Sequence, residues 1–115
     1  MKSMHVNAGR KALVAAGALF AALAIAGCSR NDAASYLNSA RAYASKNDYR
    51  SAVIEAKNAL QKDPDNGEAR LILAAGLLAQ GDAAGAEAEV RKAIAAHAPD
   101  DRTYPLLARA LAMQG

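Results

Sequence analysis

Cysteine is almost missing from this chain of 115 residues, and the single one, Cys28, stands where an apolar run gives way to polar sequence. One cysteine excludes an internal disulfide, and with it the framework by which small exported domains staple themselves. Tryptophan is absent and the only phenylalanine, Phe20, sits inside the apolar run, so beyond it the four tyrosines are the only large rings. Histidine is equally scarce. His5 lies near the N-terminus and His97 far from it, with no further His or Cys beside His97, so no metal-ligand spacing exists. His97 is expected instead at or just past a helix C-terminus, where a positive or left-handed-tolerant residue is favoured. No Gly-rich phosphate loop is present. The carboxylates fall at turns and caps (Asp48, Asp63, Asp65, Asp82) or on helix faces read as solvated (Glu55, Glu87, Glu89). The sequence therefore predicts no enzyme, no metal and no bound cofactor.

What is present begins with the leader. Lys2, Arg10 and Lys11 precede residues 12–27, which carry no polar side chain. A spanning helix wants about 20 apolar residues, and a signal-peptide core about 7–15 ahead of a small-residue cleavage site. The run lies between these lengths. Ala and Gly dominate it and no aromatic or basic belt follows, which favours a cleaved export signal over an uncleaved membrane helix. Ile25-Ala26-Gly27-Cys28 resembles the bacterial lipobox: an aliphatic residue, two small residues, then the cysteine to be acylated. The resemblance implies cleavage between Gly27 and Cys28, with residues 1–27 as a lipoprotein signal peptide and a diacylglycerol on the Cys28 thiol. One acyl chain binds a membrane only marginally, at about 0.8 kcal/mol per buried methylene, whereas two or three make release negligible. Ser29 stands where an Asp would retain many such lipoproteins at the inner membrane, which by resemblance implies the periplasmic face of the outer membrane.

Cleavage would also change the charge. The chain has 14 basic and 11 acidic side chains, but Lys2, Arg10 and Lys11 belong to the leader and the first acid is Asp32. From Cys28 onward the two signs balance. The basicity of the whole sequence belongs to the leader, and a nucleic-acid partner loses its electrostatic support.

The remainder repeats with a period of 34 residues. Ala40, Ala74 and Ala108 are in register, as are Tyr43, Leu77 and Leu111, and Asn47, Gly81 and Gly115. Asp48 matches Asp82, Ala52 matches Ala86, and Ala59 matches Ala93. Each unit reads as two helices. In the first, Tyr36, Ala40 and Tyr43 share a face at helical spacing, "KND" breaks the helix, and Asp48 is placed to cap the next. Tyr49, Ala52, Val53, Ala56, Ala59 and Leu60 form the inward stripe of that second helix. In "DPDNG", Pro64 ends it and Asn66 or Gly67 is expected to allow the turn. In the second unit Leu73, Ala74 and Leu77 face Ala86, Val90, Ala93 and Ile94.

A 34-residue helix-turn-helix unit with small Ala at the crossings and a closing Pro resembles the tetratricopeptide repeat, with Tyr36, Ala40, Tyr43, Ala52, Ala59 and Pro64 on that family's pattern. Ser39 departs where a Leu is usual, Arg70 where an aromatic is usual, and Pro99 comes one place late. The expected fold is an all-α solenoid of about two and a half repeats. Residues 28–32 form the lipidated N-terminus and linker, 33–66 repeat 1, 67–100 repeat 2, and 101–115 the first helix of repeat 3. Gly115 falls where the next second-helix should begin. The sequence thus reads as the N-terminal part of a longer array, or as a short protein whose last helix, with Tyr104, Leu107, Ala108 and Leu111, docks on a partner or on itself.

"YASKNDYRSAVIEAKNALQKDPDNGEARLILA" and "GDAAGAEAEVRKAIAAHAPDDRTYPLLARALAMQG" behind a lipobox resemble the repeat lipoprotein of the PEP-CTERM/exosortase system. That resemblance implies a membrane-anchored scaffold for protein–protein interactions in the cell envelope, in an exopolysaccharide and surface-protein system. In such arrays the first helix of each unit lines a concave groove. Mapped by position, the candidate partner-binding residues are Leu37, Arg41, Leu71, Ala75, Leu78 and Arg109, an apolar groove with scattered arginines. The Lys and Asn pattern of the subgroup that clamps C-terminal carboxylates is absent. Two alternatives stay open: these residues only contact neighbouring repeats, and the chain is a structural spacer or an assembly lipoprotein of another export system.

Overall fold

The computed structural model describes residues 32–115. The expected leader, its cleavage site at Gly27 and Cys28, and most of the linker lie outside the described residues. Helix α1 runs over 32–45, α2 over Tyr49–Lys62, α3 over Gly67–Ala79, α4 over Ala83–Ala95 and α5 over Asp100–Gln114. No strand occurs among the described residues. The fold is the all-α helical repeat that the 34-residue register predicts. No helix among the described residues is long and apolar enough to cross a membrane.

The turns inside each unit follow one design. Helix α1 ends with Asn47 in the left-handed region at φ 60°; the Asn47 N–H donates to the Ala44 carbonyl and the Asp48 N–H to the Tyr43 carbonyl, both at 3.0 Å. This pair of bonds satisfies carbonyls that a helix end otherwise orphans. Helix α3 repeats it with Gly81 at φ 86°, Gly81 N–H to Leu78 and Asp82 N–H to Leu77. The residue that closes one helix then opens the next. The Asp48 carboxylate accepts from the Ser51 N–H at 3.2 Å and the Asp82 carboxylate from the Gly85 N–H at 2.8 Å. A three-residue reversal therefore needs one left-handed residue and one Asp, which is why these positions recur.

The turns between units are built differently. His97 takes the left-handed position after α4, at φ 58°, as its place in the sequence suggests. Pro99 then precedes α5 without any side-chain cap. After α2 the turn runs through Pro64 and Asp65 with no left-handed residue, and the Asn66 N–H closes it by donating to the Asp63 carbonyl at 3.2 Å. Asn66 is the N-cap of α3, accepting from the Ala69 N–H at 2.9 Å, and Gly67 is the first residue of that helix. Gly67 is small for another reason: a Cβ there would stand 3.0 Å from that of Ala98.

Two apolar clusters hold the stack together. Leu37, Ala40, Ala52, Val53, Ala56, Ala59, Ala69, Ile72 and Leu73 join α1, α2 and α3. Ala74, Leu78, Ala83, Ala86, Val90 and Ala110 join α3, α4 and α5. Alanine supplies most of both, so stability depends on close helix approach more than on bulk. Gly76 shows how close: a Cβ there would lie 2.3 Å from Val53 Cγ2, in α2. Tyr36 packs against the first cluster, whereas Tyr43 is 38% exposed.

Candidate partner-binding face

The odd-numbered helices are the first helices of their units, and one ion-pair ladder shows that they share a face. The Arg41 Nε of α1 donates to Glu68 Oε1 of α3 at 2.7 Å, and its Nη2 reaches Glu68 Oε2. Arg102 of α5 approaches the same carboxylate at 3.7 Å. Arg41 Nη1 also donates to Asn38 Oδ1 at 2.9 Å, one turn earlier on α1. Glu68 thus sits between two guanidinium groups from the flanking units. The hydrogen bond from Arg41 holds its carboxyl below the ordinary value; burial opposes this, and the charges of Arg41 and Arg102 reinforce it.

The six positions mapped from the sequence divide sharply. Leu37, Leu71 and Leu78 are buried, with Leu37 in the first cluster and Leu78 in the second. Ala75 is half-buried, and Arg41 and Arg109 are exposed. The structure therefore brings the leucines into or against the packing of the repeats and leaves arginine and alanine at the surface. Arg41, Ala75 and Arg109 form one row across the three helices, 34 residues apart. Among the described residues Arg109 makes no ion pair. The lipidation and cleavage positions, Cys28 and Gly27, lie outside the described residues.

Residue-by-residue reading missed Glu68 and Arg102. The signal was available: Glu68 opens α3 as Arg102 opens α5, one period later and with opposite charge. A second network corrects the view of Glu89 as simply solvated. Its side chain is 13% exposed and accepts from Arg70 Nη1 of α3 and from Lys92 Nζ, both at 2.8 Å. Arg70 Nη2 also donates to the Pro64 carbonyl at 2.6 Å. This explains the departure from an aromatic at position 70: an arginine can bridge helix, turn and partner helix there. Burial alone would raise the Glu89 carboxyl, but hydrogen bonds from Lys92 and Arg70 outweigh it and hold it low. Glu87 likewise faces more than water, accepting from Gln114 of α5 at 2.8 Å and from Arg91 at 2.8 Å.

Chemically, this face can bind and orient; it presents guanidinium groups and small side chains. No three of His, Cys, Asp and Glu converge among the described residues. Compared with known families, residues 43–110 match the tetratricopeptide repeat. No curated protein matches the chain.

Proposed function

We propose that this chain, which belongs to the tetratricopeptide-repeat family, is a lipid-anchored scaffold that gathers protein partners at the bacterial cell envelope. Repeats of this family are typically interaction modules and not catalysts. The observation that carries the reading is the shared face of α1, α3 and α5, where Arg41, Ala75 and Arg109 stay accessible beside the Glu68 ladder. The anchor rests on Ile25-Ala26-Gly27-Cys28 behind an apolar run, and acylation of Cys28 would hold the scaffold on the membrane. The periplasmic side of the outer membrane is the proposed address, and an exosortase-type surface-protein system is the proposed setting. Both follow from sequence resemblance.

A spacer with no bound partner is the second reading. It is favoured by the burial of Leu37, Leu71 and Leu78, which suits repeat-to-repeat packing. A photocrosslinking side chain at position 75, compared with one at exposed position 54 on α2, separates the two readings. Adducts with envelope proteins from position 75 alone support the scaffold, and none from either position favours the spacer. The anchor is tested with Cys28→Ala: soluble protein supports acylation, while full-length protein still in the membrane means an uncleaved helix.

A further inference from the structure

The scaffold reading leaves the partner's chemistry open, and the distribution of charge on the first helices narrows it. Their acids are confined to the N-terminal turns: Asp32 in α1, Glu68 in α3, Asp100 and Asp101 in α5. Beyond those turns the first helices carry no acid at all. Their charges there are Arg41, Arg70 and Arg109, and Arg70 is turned to Glu89 on α4. Arg102 and Arg109 are seven residues apart, two helical turns, so they lie on one side of α5. The approach of Arg102 to Glu68 fixes that side as the one facing α3 and α1. The shared face thus has an acidic rim, whose Glu68 is already matched by Arg41 and Arg102. Past it lies a row in which Arg41 and Arg109 flank Ala75. Ala75 leaves the middle of that row low; Glu68 engages Arg41 at one end, and Arg109 at the other has no acid partner among the described residues.

Resting on the scaffold reading, we infer that the Arg41–Ala75–Arg109 row receives an extended acidic segment of a partner protein, its carboxylates meeting Arg109 and the outer edge of Arg41. Three N–H groups of Arg41 are occupied by Glu68 and Asn38, leaving two of its five for an incoming carboxylate. Helices spaced about 8–10 Å apart make the row about 20 Å long, or about six extended residues. The balance of charge from Cys28 onward makes this attraction local, so a basic peptide would find its complement elsewhere on the surface.

The test is a selection from a random displayed-peptide library on the full chain. The retained pool is then remeasured on Arg109→Glu, on Ala75→Glu, and on Arg91→Glu, which makes the Arg109→Glu charge change on the far helix α4. The expected result is a pool enriched in Asp and Glu, weakened at least about tenfold by each of the first two substitutions and unchanged by the third. Equal weakening by Arg91→Glu would mean attraction by overall charge and would overturn the site. A pool without acidic enrichment that a bulky Ala75→Trp still displaces would reject the acidic partner while the groove itself stands. A pool indifferent to position 75, or no pool at all, would remove both the acidic partner and the groove.

Discussion

Helices α3 and α5 stand at equivalent places, one period apart, and they live in different surroundings. Ala74 of α3 is fully buried, and its counterpart Ala108 is exposed. Leu77 is half-buried against both clusters, whereas Leu111 is 45% exposed. Arg70 is folded onto Glu89, while Tyr104 is 54% exposed. At one pair of positions the burial is shared but the neighbour is not: Gly76 is buried against Val53 of α2, and its counterpart Ala110 is buried in the second cluster with α4. Helix α3 has a second helix on each side, α2 and α4, and α5 has only α4 among the described residues. The same side-chain pattern is core or surface according to what lies beside it, which is how a solenoid differs from a domain closed on itself.

The largest effect expected is at the crossing that only α3 makes. Gly76→Val would drive a side chain into Val53, whose Cγ2 would lie 2.3 Å from the new Cβ. A loss of about 3 kcal/mol should appear in chemical denaturation, eased when Val53→Ala is added. An unchanged midpoint would mean that α2 and α3 are farther apart than described. Next comes the direct comparison of paired positions. Ala74→Leu should cost about 1–3 kcal/mol by overpacking, and Ala108→Leu should stay within about 0.5 kcal/mol. If the two cost the same, the outer side of α5 is covered in solution. Third, Arg70→Ala leaves Glu89 with Lys92 as its remaining partner and should cost about 1 kcal/mol, against less than about 0.5 kcal/mol for Tyr104→Ala. An inert Arg70→Ala would make the α3–α4 bridge ornamental.

Much of this was legible beforehand, because a 34-residue period states one structural unit repeatedly. The caps at Asp48 and Asp82 and the turns at Asn47, Gly81 and His97 could be read directly, since each demands a short-range chemistry that few residues supply. The tertiary details were harder. Gly76 looks like any helical glycine until Val53 is seen beside it, and Gly67 passes for a turn residue until Ala98 is in place. Position mapping took Leu37, Leu71 and Leu78 as a groove lining, but it does not register depth, and packing had prior claim on their apolar area. The arginines of the same map did reach the surface. Glu68 was passed over and Glu89 misjudged for want of their partners, which lie 27 and 19 residues away.

The smallest effect expected separates those two carboxylates. Both are held below their ordinary value of 4.5 in the folded chain, Glu68 by the hydrogen bond from Arg41 and Glu89 by Lys92 and Arg70 against its own burial. A group whose folded value is depressed stabilises fully above its unfolded value and loses that contribution as pH falls through the folded one. The thermal midpoint should therefore stay level near neutrality and begin to drop below about pH 4.5. Glu68→Gln and Glu89→Gln should each flatten that drop. Glu89 is the less exposed, 13% against 28%, so its share should survive added salt while that of Glu68 fades. A salt-resistant Glu68 share would mean the first-helix face is shielded from solvent, and the exposed face that an acidic partner needs would have to be sought elsewhere.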